Sequence, residues 1–321
     1  MREFLINEND SGQRVDKFLQ KAMPDLPKSM MYRLIRKKDI KVNGKRCEIS
    51  TKLVSGDTVR VYVRDEVAGQ KQHDMSFLKA SALPQIAYED ENILIACKEV
   101  GVDSHSNGSS SGDTLIDRIK LYLYNKGEFD PSQESSFAPA LCSRLDRNTS
   151  GLVTAAKNAL ALRLVNGAIA EGNVHKVYLC VTVAPPPKEQ DIITAYHRKD
   201  ESRNIVEIRD TPAEEFREIR TGYQVLSQNR GLSLVKVTLY TGRTHQIRAH
   251  LAHISAPLLG DGKYGDVAKN KRWGVFRQAL CAWSLEFAFE EDSPLVYLNA
   301  LRPTAPMPEF IKYFPGYEYQ P

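Results

Sequence analysis

The first hydrophobic pattern along the chain has the spacing of a helix. Val15, Phe18, Leu19 and Ala22 recur at intervals of three, one and three residues after Gly12, so they fall on one helical face. Polar residues occupy the positions between them, as on a helix whose other face meets water. The pattern therefore predicts a first helix that packs on a small core.

A second amphipathic helix is predicted directly after Pro27. Ser29 can cap its start, and Met31, Leu34 and Ile35 supply its apolar face. Its outer side is strongly basic, within a run of eight basic residues and one acid: Lys28, Arg33, Arg36, Lys37, Lys38, Lys41, Lys45 and Arg46. Such clustering favours nucleic-acid binding through phosphates, while an ordinary solvated helix face is the simpler alternative.

Short strands complete this front module. Asn43-Gly44 is a strong turn signal between two short strands, and the alternation from Thr58 to Val63 predicts a closing strand. We assign residues 1–68 to a basic RNA-binding module of small α/β type, 69–84 to a linker and 85–321 to a large domain. The linker lacks a hydrophobic period, and its composition would let the module swing.

Short strands alternate with a few helices in the large domain. Ile93 to Lys98 and Leu152 to Ala156 read as buried strands, Ala159 to Glu171 as a helix, and 216–225 and 232–240 as alternating strands. Other predicted elements are strands over 86–92 and 174–183, a helix from Thr114 and a short terminal helix from Glu309 to Tyr313. The expected fold class is α+β, with a mixed, mainly antiparallel sheet flanked by helices.

One carboxylate stands between two arginines at the entrance to a predicted strand. The stretch runs Ser143-Arg144-Leu145-Asp146-Arg147-Asn148-Thr149-Ser150-Gly151. Cationic neighbours, turn amides and hydroxyls stabilise an ionised carboxylate, which can then act as a nucleophile or a base. A surface loop in which Asp146 pairs locally with Arg144 or Arg147 fits these residues equally well.

The basic charge is concentrated at the front of the chain. The formal net charge is +4, but residues 1–64 hold fifteen Lys or Arg against eight Asp or Glu, which leaves 29 against 32 in the remainder. This asymmetry indicates a polyanion-binding module attached to a larger body with another task.

Composition predicts a globular cytoplasmic protein. The 321 residues are 42% hydrophobic, no run approaches the roughly 18 apolar residues of a membrane span, and the first residues lack a signal-peptide pattern. The cysteines are scattered without a Cys-x-x-Cys pair, so neither disulfides nor a cysteine zinc site is expected; they are Cys47, Cys97, Cys142, Cys180 and Cys281.

A third chemical motif follows the strand that ends near Tyr240. It reads Thr241-Gly242-Arg243-Thr244-His245-Gln246-Ile247-Arg248-Ala249-His250-Leu251, in which Thr244 or a neighbour can cap a helix over 246–253. His245, His250 and His253 do not share one helical face, and no His-Glu-x-x-His pattern occurs, so no metal is expected. The Gly- and Ser-rich loop 101–112 lacks the spacing of a phosphate or dinucleotide site.

Three motifs in this order carry a family resemblance. Arg-Leu-Asp-x-x-Thr-Ser-Gly around Asp146, Lys-x-Tyr ending at Tyr178, and Gly-Arg-Thr-His-Gln-Ile-Arg-x-His around Arg248 resemble the Rlu-type pseudouridine synthases of large-subunit ribosomal RNA. The similarity covers essentially the whole chain. The tail segment Leu259-Gly260-Asp261-Gly262-Lys263-Tyr264-Gly265 fits it, and the front module resembles the RNA-binding module first described in a ribosomal small-subunit protein.

The resemblance implies a role for each matching residue. Asp146 is the expected catalytic aspartate, Tyr178 packs against the target base, and Arg248 pairs with the aspartate, so distant segments should converge on one cleft. Expected RNA contacts are the eight basic residues of the front module together with Arg144, Arg147, Arg243 and His245. The implied reaction breaks the bond from base to C1′ and rejoins the base through C5, which requires no cofactor.

Two departures from the family pattern are visible. Ser143 stands where the family usually has His, and Cys97-Lys98-Glu99-Val100-Gly101 replaces Asn-Lys-Pro-x-Gly. Both leave the aspartate, tyrosine and arginine in place but affect local loop shape. The expected partner is ribosomal RNA, and the expected oligomeric state is a monomer. The alternatives are a non-catalytic RNA-binding or ribosome-assembly protein and, from the histidines, a metal-dependent hydrolase.

Overall fold

The computed structural model describes residues 1–63, 74–83, 85–106 and 112–317. Residues 69–73 and 84 of the predicted linker, and residues 107–111 of the loop 101–112, lie outside the described residues. Within the described part, no helix combines the length and the apolar character needed to cross a membrane.

The front module has two helices on a small sheet. Its elements are β1 (Arg2–Leu5), α1 (Val15–Ala22), α2 (Lys28–Lys37), β2 (Ile40–Val42), β3 (Lys45–Arg46) and β4 (Thr58–Val61), with strand order β1-β4-β2-β3. The apolar faces predicted for both helices are buried in one cluster. The predicted cap is wrong: α2 starts at Lys28, Pro27 occupies the N-cap position, and no side chain caps the helix. Strand β1 was not predicted.

The turn between β2 and β3 explains how the basic hairpin is held. Asn43 and Gly44 both have positive φ, 51° and 74°, as a two-residue hairpin turn requires. Asn43 also accepts a hydrogen bond from Thr58 N and donates one to Asp57 Oδ1, which ties the hairpin to β4. The exposed basic residues of this hairpin are therefore held in place against β4.

The large domain is built on one extended sheet. Its strands are β5 (Ile86–Glu89), β6 (Ile93–Lys98), β7 (Ala140–Leu141), β8 (Ser150–Ala156), β9 (Val174–Thr182), β10 (Gln190–Asp200), β11 (Ile205–Arg209), β12 (Arg217–Asn229), β13 (Leu232–Leu239) and β14 (Leu280–Phe287). The order is β11-β10-β12-β13-β9-β14-β8-β6-β5, with β7 beside β8. Among the described strands, only β14 and β8 pair in parallel, so the predicted mixed, mainly antiparallel sheet is confirmed.

Helices cover both faces of this sheet. They are α3 (Leu115–Asn125), α4 (Ala159–Glu171), α5 (Gln246–His253) and α6 (Val267–Trp273). Neighbouring residues of β9 show the two layers: Leu179 packs in the cluster under α4, whereas Tyr178 packs with Ile247 and Leu251 of α5. A short 3-10 helix, Glu309–Tyr313, follows near the end, as predicted.

The centre of the sheet requires glycine at one position. Gly151 in β8 has φ of 110°, and a Cβ placed there would lie 2.2 Å from Ala282 O in β14. Only glycine allows the two backbones to approach this closely. The Thr-Ser-Gly ending of the Asp146 motif therefore positions the loop that precedes β8 against the middle of the sheet.

The front module contacts the large domain through the 3-10 helix Glu8–Asp10. Asn9 Nδ2 donates to Glu134 Oε1 at 2.9 Å, and its Oδ1 accepts a hydrogen bond from Ala159 N at the start of α4. Ser136 Oγ bonds to the buried Asp10 carboxylate. Through these polar contacts the front module docks beside the start of α4.

Candidate active site

The Asp146 loop is fastened to the end of β6 by a buried lysine. Lys98 Nζ donates to Glu99 O, Val102 O and Arg147 O at 2.9, 2.8 and 3.0 Å. Burial lowers the pKa of Lys98 to about 8, against the opposing effect of nearby carboxylates including Asp146. The ammonium group joins three carbonyls from two loops, which holds the backbone beside Asp146 in one place.

A second contact pins the same loop from its other side. Ser104 Oγ donates to Leu145 O and accepts from Leu145 N, at 2.9 and 3.1 Å. Thr149 N donates to Asp146 O at 3.0 Å, which closes a turn just before β8. The carboxylate is therefore presented from a constrained turn.

Arg248 of α5 reaches this carboxylate across 102 positions of sequence. Its Nη1 donates to Asp146 Oδ2 at 2.8 Å, while Nε and Nη2 donate to Asp261 at 2.7 and 3.0 Å. The arginine side chain is 7% exposed, and that of Asp261 is fully buried. Asp146 thus pairs with Arg248, and the local alternative of Arg144 or Arg147 is wrong. Sequence reasoning assigned Asp261 no role.

The charges in this triad stabilise one another. Burial alone would lower the pKa of Arg248, but hydrogen bonds and charge from Asp261 and Asp146 raise it. Burial alone would raise the pKa of Asp261, but Arg248 and the backbone N–H groups of Lys263 and Tyr264 hold it below its usual value. The guanidinium is therefore a fixed cation oriented by a buried anion.

Tyr178 closes the site on its apolar side. It lies in β9, packed with Val237, Ile247 and Leu280, and it lines one cleft with Asp146 and Arg248. Burial raises the pKa of Tyr178, and the nearby charge of Asp146 raises it further. The predicted convergence of the aspartate, tyrosine and arginine on one cleft is thus what the structure shows. The cleft thus places a carboxylate and an aromatic ring next to each other.

Family models match both parts of the chain. The model described as RNA pseudouridylate synthase matches residues 92–253, just over half of the chain, and the S4 domain model matches residues 13–59. The chain belongs to the RNA pseudouridylate synthase family. The predicted enzyme class, an isomerase that makes pseudouridine in RNA, and the resemblance to Rlu-type synthases with a front S4 module are confirmed.

Curated relatives match the synthase over nearly its full length. Ribosomal large subunit pseudouridine synthase C of Vibrio cholerae is 31% identical over 304 residues, covering 92% of this chain and 91% of the relative. An uncharacterized RNA pseudouridine synthase of Mycoplasma capricolum is 31% identical, with 93% and 95% covered. The human RNA pseudouridylate synthase domain containing 4 has the same fold, with a TM-score of 0.55 at 22% identity, covering 71% of this chain and 90% of its own.

His245 enters the cleft of the synthase from an unusual backbone position. It is the N-cap residue of α5 and has φ of 53°, in the left-handed region, where its side chain makes no cap bond. Thr244 does not cap the helix either; instead Gln246 Oε1 accepts hydrogen bonds from Arg243 N and Thr241 Oγ1. This backbone conformation directs the His245 ring towards Asp146, so that His245 Nε2 lies 3.9 Å from Asp146 Oδ2.

The three histidines of this segment have separate partners. The Nδ1 atom of His245 meets Tyr264 Oη at 2.9 Å, that of His250 meets Thr221 Oγ1 at 3.0 Å, and Nε2 of His253 meets an exposed carboxylate, Asp210, at 2.7 Å. Among the described residues, no group of three or more His, Cys, Asp or Glu has the geometry of a metal site.

The basic residues expected to contact RNA occupy two places in the synthase. Arg144 and Arg243 are exposed on the rim of the cleft, whereas Arg147 turns away and donates to Gly101 O at 3.1 Å. The remaining expected residues lie on α2 and the β2–β3 hairpin, exposed except for the half-buried Lys41. The structure therefore brings Arg144, Arg243 and His245 into the cleft that Asp146, Tyr178 and Arg248 line.

A larger cavity of about 850 Å³ lies next to the cleft, but Asp146, Tyr178 and Arg248 do not line it. It is lined by Lys98 and Gly151 on one side and by Phe276, Arg277 and Met307 on the other. The smaller cleft, rather than this cavity, groups a carboxylate, a guanidinium and an aromatic side chain, and it is therefore the candidate active site.

Proposed function

We propose that this synthase isomerises uridines of large-subunit ribosomal RNA, as a monomer in the cytoplasm. The named relatives support the substrate, since they are large-subunit ribosomal RNA pseudouridine synthases over nine tenths of the chain. The basic front module supports it as well, because phosphate contacts supply affinity for any large RNA. We propose the boundaries 1–68, 69–84 and 85–321 for module, linker and catalytic domain.

The proposed reaction starts at Asp146. Its carboxylate attacks C1′ of the target nucleotide or removes the C2′ proton, and either route releases uracil from the sugar. The base turns, C5 bonds to C1′, and the C5 proton leaves. The observation that carries this proposal is the 2.8 Å contact from Arg248 Nη1 to Asp146 Oδ2, since it orients the carboxylate oxygen inside the cleft.

The target base must leave the RNA stack to reach this carboxylate. Flipping a base out of folded RNA costs a few kcal/mol. Stacking of the base on Tyr178 would offset about 1 to 3 kcal/mol of this cost, the range measured for base–aromatic contacts. The exposed guanidinium groups of Arg144 and Arg243 on the rim suit the phosphates on either side of the flipped nucleotide.

The test of the proposal is tritium release from unmodified large-subunit ribosomal RNA labelled at C5 of uridine. Asp146→Asn keeps the shape of the side chain and removes its charge, so we expect release to fall by at least about a thousandfold, on the scale of losing an essential catalytic group. Asp210→Asn, the same change at an exposed carboxylate, should retain wild-type release. Undiminished release from the Asp146 variant would refute the assignment.

The role of the basic module is tested by the salt dependence of RNA binding. Arg33→Gln with Arg36→Gln removes two exposed charges from α2 while keeping good helix formers. If both contact phosphates, the slope of log K against log salt should fall by about 1.4 to 1.8. The matched control removes Arg203 and Arg230, which are exposed in hairpins of the large domain. An equal change in both variants would exclude a dedicated role for α2.

A further inference from the structure

The hydroxyl of Tyr264 connects the backbone of β11 to the ring of His245. Val206 N donates to Tyr264 Oη at 2.7 Å, and the same oxygen lies 2.9 Å from His245 Nδ1. The two rings meet edge to face, with centroids 5.7 Å apart. His245 therefore touches a residue of the tail segment on one side and faces Asp146 on the other.

Counting protons selects one tautomer of the histidine. Tyr264 Oη already accepts the N–H of Val206, and its own proton has His245 Nδ1 as its acceptor among the residues that the structure describes. If Nδ1 carried the proton instead, the tyrosine O–H would have no acceptor within that part of the chain, which is costly for a half-buried hydroxyl. Nδ1 is thus the acceptor, and Nε2 carries the hydrogen.

The Nε2–H group is aimed at the reacting position. Its distance of 3.9 Å to Asp146 Oδ2 is too long for a hydrogen bond, so Nε2–H is free of that partner and can donate a hydrogen bond to a substrate atom beside the two groups. Burial lowers the pKa of His245 to about 4, and its effect is larger than that of the charged groups that face the ring. Those groups are Asp146, Arg248, Lys263 and Asp261. At neutral pH the ring is an uncharged donor.

We propose that His245 Nε2–H binds the 2′-hydroxyl oxygen of the target uridine, with Tyr264 as the residue that positions the ring. This rests on the proposed function, which brings C1′ and C2′ of the nucleotide to Asp146. Among the atoms bonded to those carbons, O2′ is the hydroxyl oxygen, and it is also the atom that separates RNA from DNA. The left-handed backbone of His245 is consistent with a strained position retained at a functional site.

The tautomer is tested without any substrate. In the full-length protein labelled with ¹⁵N-histidine, the His245 signals, assigned by their loss in His245→Asn, should be those of an imidazole protonated at Nε2 at pH 7. Asparagine tolerates the left-handed region, so that variant should fold. Tyr264→Phe removes the donor to Nδ1 and should shift the signals towards a mixture of tautomers. A ring protonated at Nδ1, or at both nitrogens, in the wild type would overturn the inference.

The 2′-hydroxyl contact is tested with a ribosomal RNA fragment that the wild type modifies. In the Asp146→Asn background, which prevents turnover, replacing the target uridine by 2′-deoxyuridine should weaken binding roughly three- to tenfold, the usual range for one hydrogen bond. Adding His245→Asn should abolish that difference, and an equal penalty in both backgrounds would overturn the contact. Failure of the wild type to modify any fragment would instead contradict the proposed function, while the tautomer result would stand.

Discussion

Asp261→Asn tests whether the second carboxylate holds the site together. The carboxylate accepts from Arg248 Nε through Oδ2, and from Arg248 Nη2, Lys263 N and Tyr264 N through Oδ1. An asparagine can keep its oxygen on the Oδ1 side, but its NH₂ then faces the N–H of Arg248. The variant therefore replaces one charge-assisted contact by two opposed donors and leaves a buried guanidinium short of an anion.

The expected loss follows from this burial. Removing one partner of a buried ion pair costs about 3 to 5 kcal/mol. Arg248 keeps Asp146 as a second anion at 2.8 Å, so we expect the lower end, about 3 kcal/mol. Asp210→Asn is the matched control, because its side chain is 83% exposed and a surface pair is worth at most about 1 kcal/mol.

Urea unfolding followed by tryptophan fluorescence measures this loss in the right domain. The chain has two tryptophans, Trp273 and Trp283, and both lie in the large domain, so the signal does not include the front module. Tritium release should fall as well, since Arg248 would lose its orientation towards Asp146. A loss of stability below about 1 kcal/mol, similar to that of the control, would refute the reasoning.

The same variant has a pH signature. The pKa of Asp261 is lowered in the folded protein, so its ionised form stabilises the fold above its unfolded pKa of about 4. That stabilisation is lost as the pH falls below about 4 and through the lowered pKa that Asp261 has in the folded protein. The stability gap between wild type and Asp261→Asn should therefore be constant near neutral pH and narrow in acid, and a gap that widened there would contradict the sign.

Two further changes probe the supports of the site. Lys98→Met removes the three hydrogen bonds that the buried ammonium group donates, so unfolding by urea should show a loss of at least about 2 kcal/mol, with slower tritium release. Wild-type stability would contradict the role of the lysine. Asn9→Ala removes the contact with Glu134 and the hydrogen bond from Ala159 N, so the front module should be held less closely to the large domain. Small-angle X-ray scattering should then show a larger radius of gyration than for Asn299→Ala, which removes an asparagine within the large domain. Equal radii would argue against docking through Asn9.

Sequence periodicity predicted the elements that bury one clear face. Helix α4 matches the predicted limits, Ala159–Glu171, and the apolar residues of α1 are all buried. Strands β10 and β11 and helix α6 were not predicted, because β10 and α6 are largely polar and bury few side chains, and β11 has only five residues. Tertiary pairing along the sheet edge, rather than local pattern, determines these elements.

The convergence of Asp146, Tyr178 and Arg248 was predictable from motifs, whereas the residues that hold them in place were not. Asp261 follows Arg248 by thirteen residues, through the end of α5 and the loop 254–260, and no helical or strand spacing indicates that the two side chains meet. The Leu-Gly-Asp-x-x-Tyr segment was the available signal, since an aspartate and a tyrosine in a tight glycine turn suggest side chains that point to one place. The sequence predicted no role for Lys98, which appears there only within the segment Cys97-Lys98-Glu99-Val100-Gly101.

The turn over residues 259–264 holds two side chains that support the candidate site. Gly260 has φ of 78°, a Cβ there would lie 2.2 Å from Arg277 O, and Asn270 Oδ1 accepts its N–H, so the turn is tightly packed. From this one turn, Asp261 orients Arg248 and Tyr264 contacts His245, the two groups that face Asp146. Groups held in place before the reaction lower the barrier without reorganisation. Loosening this turn should therefore slow the chemical step more than it weakens RNA binding, because the basic module is untouched.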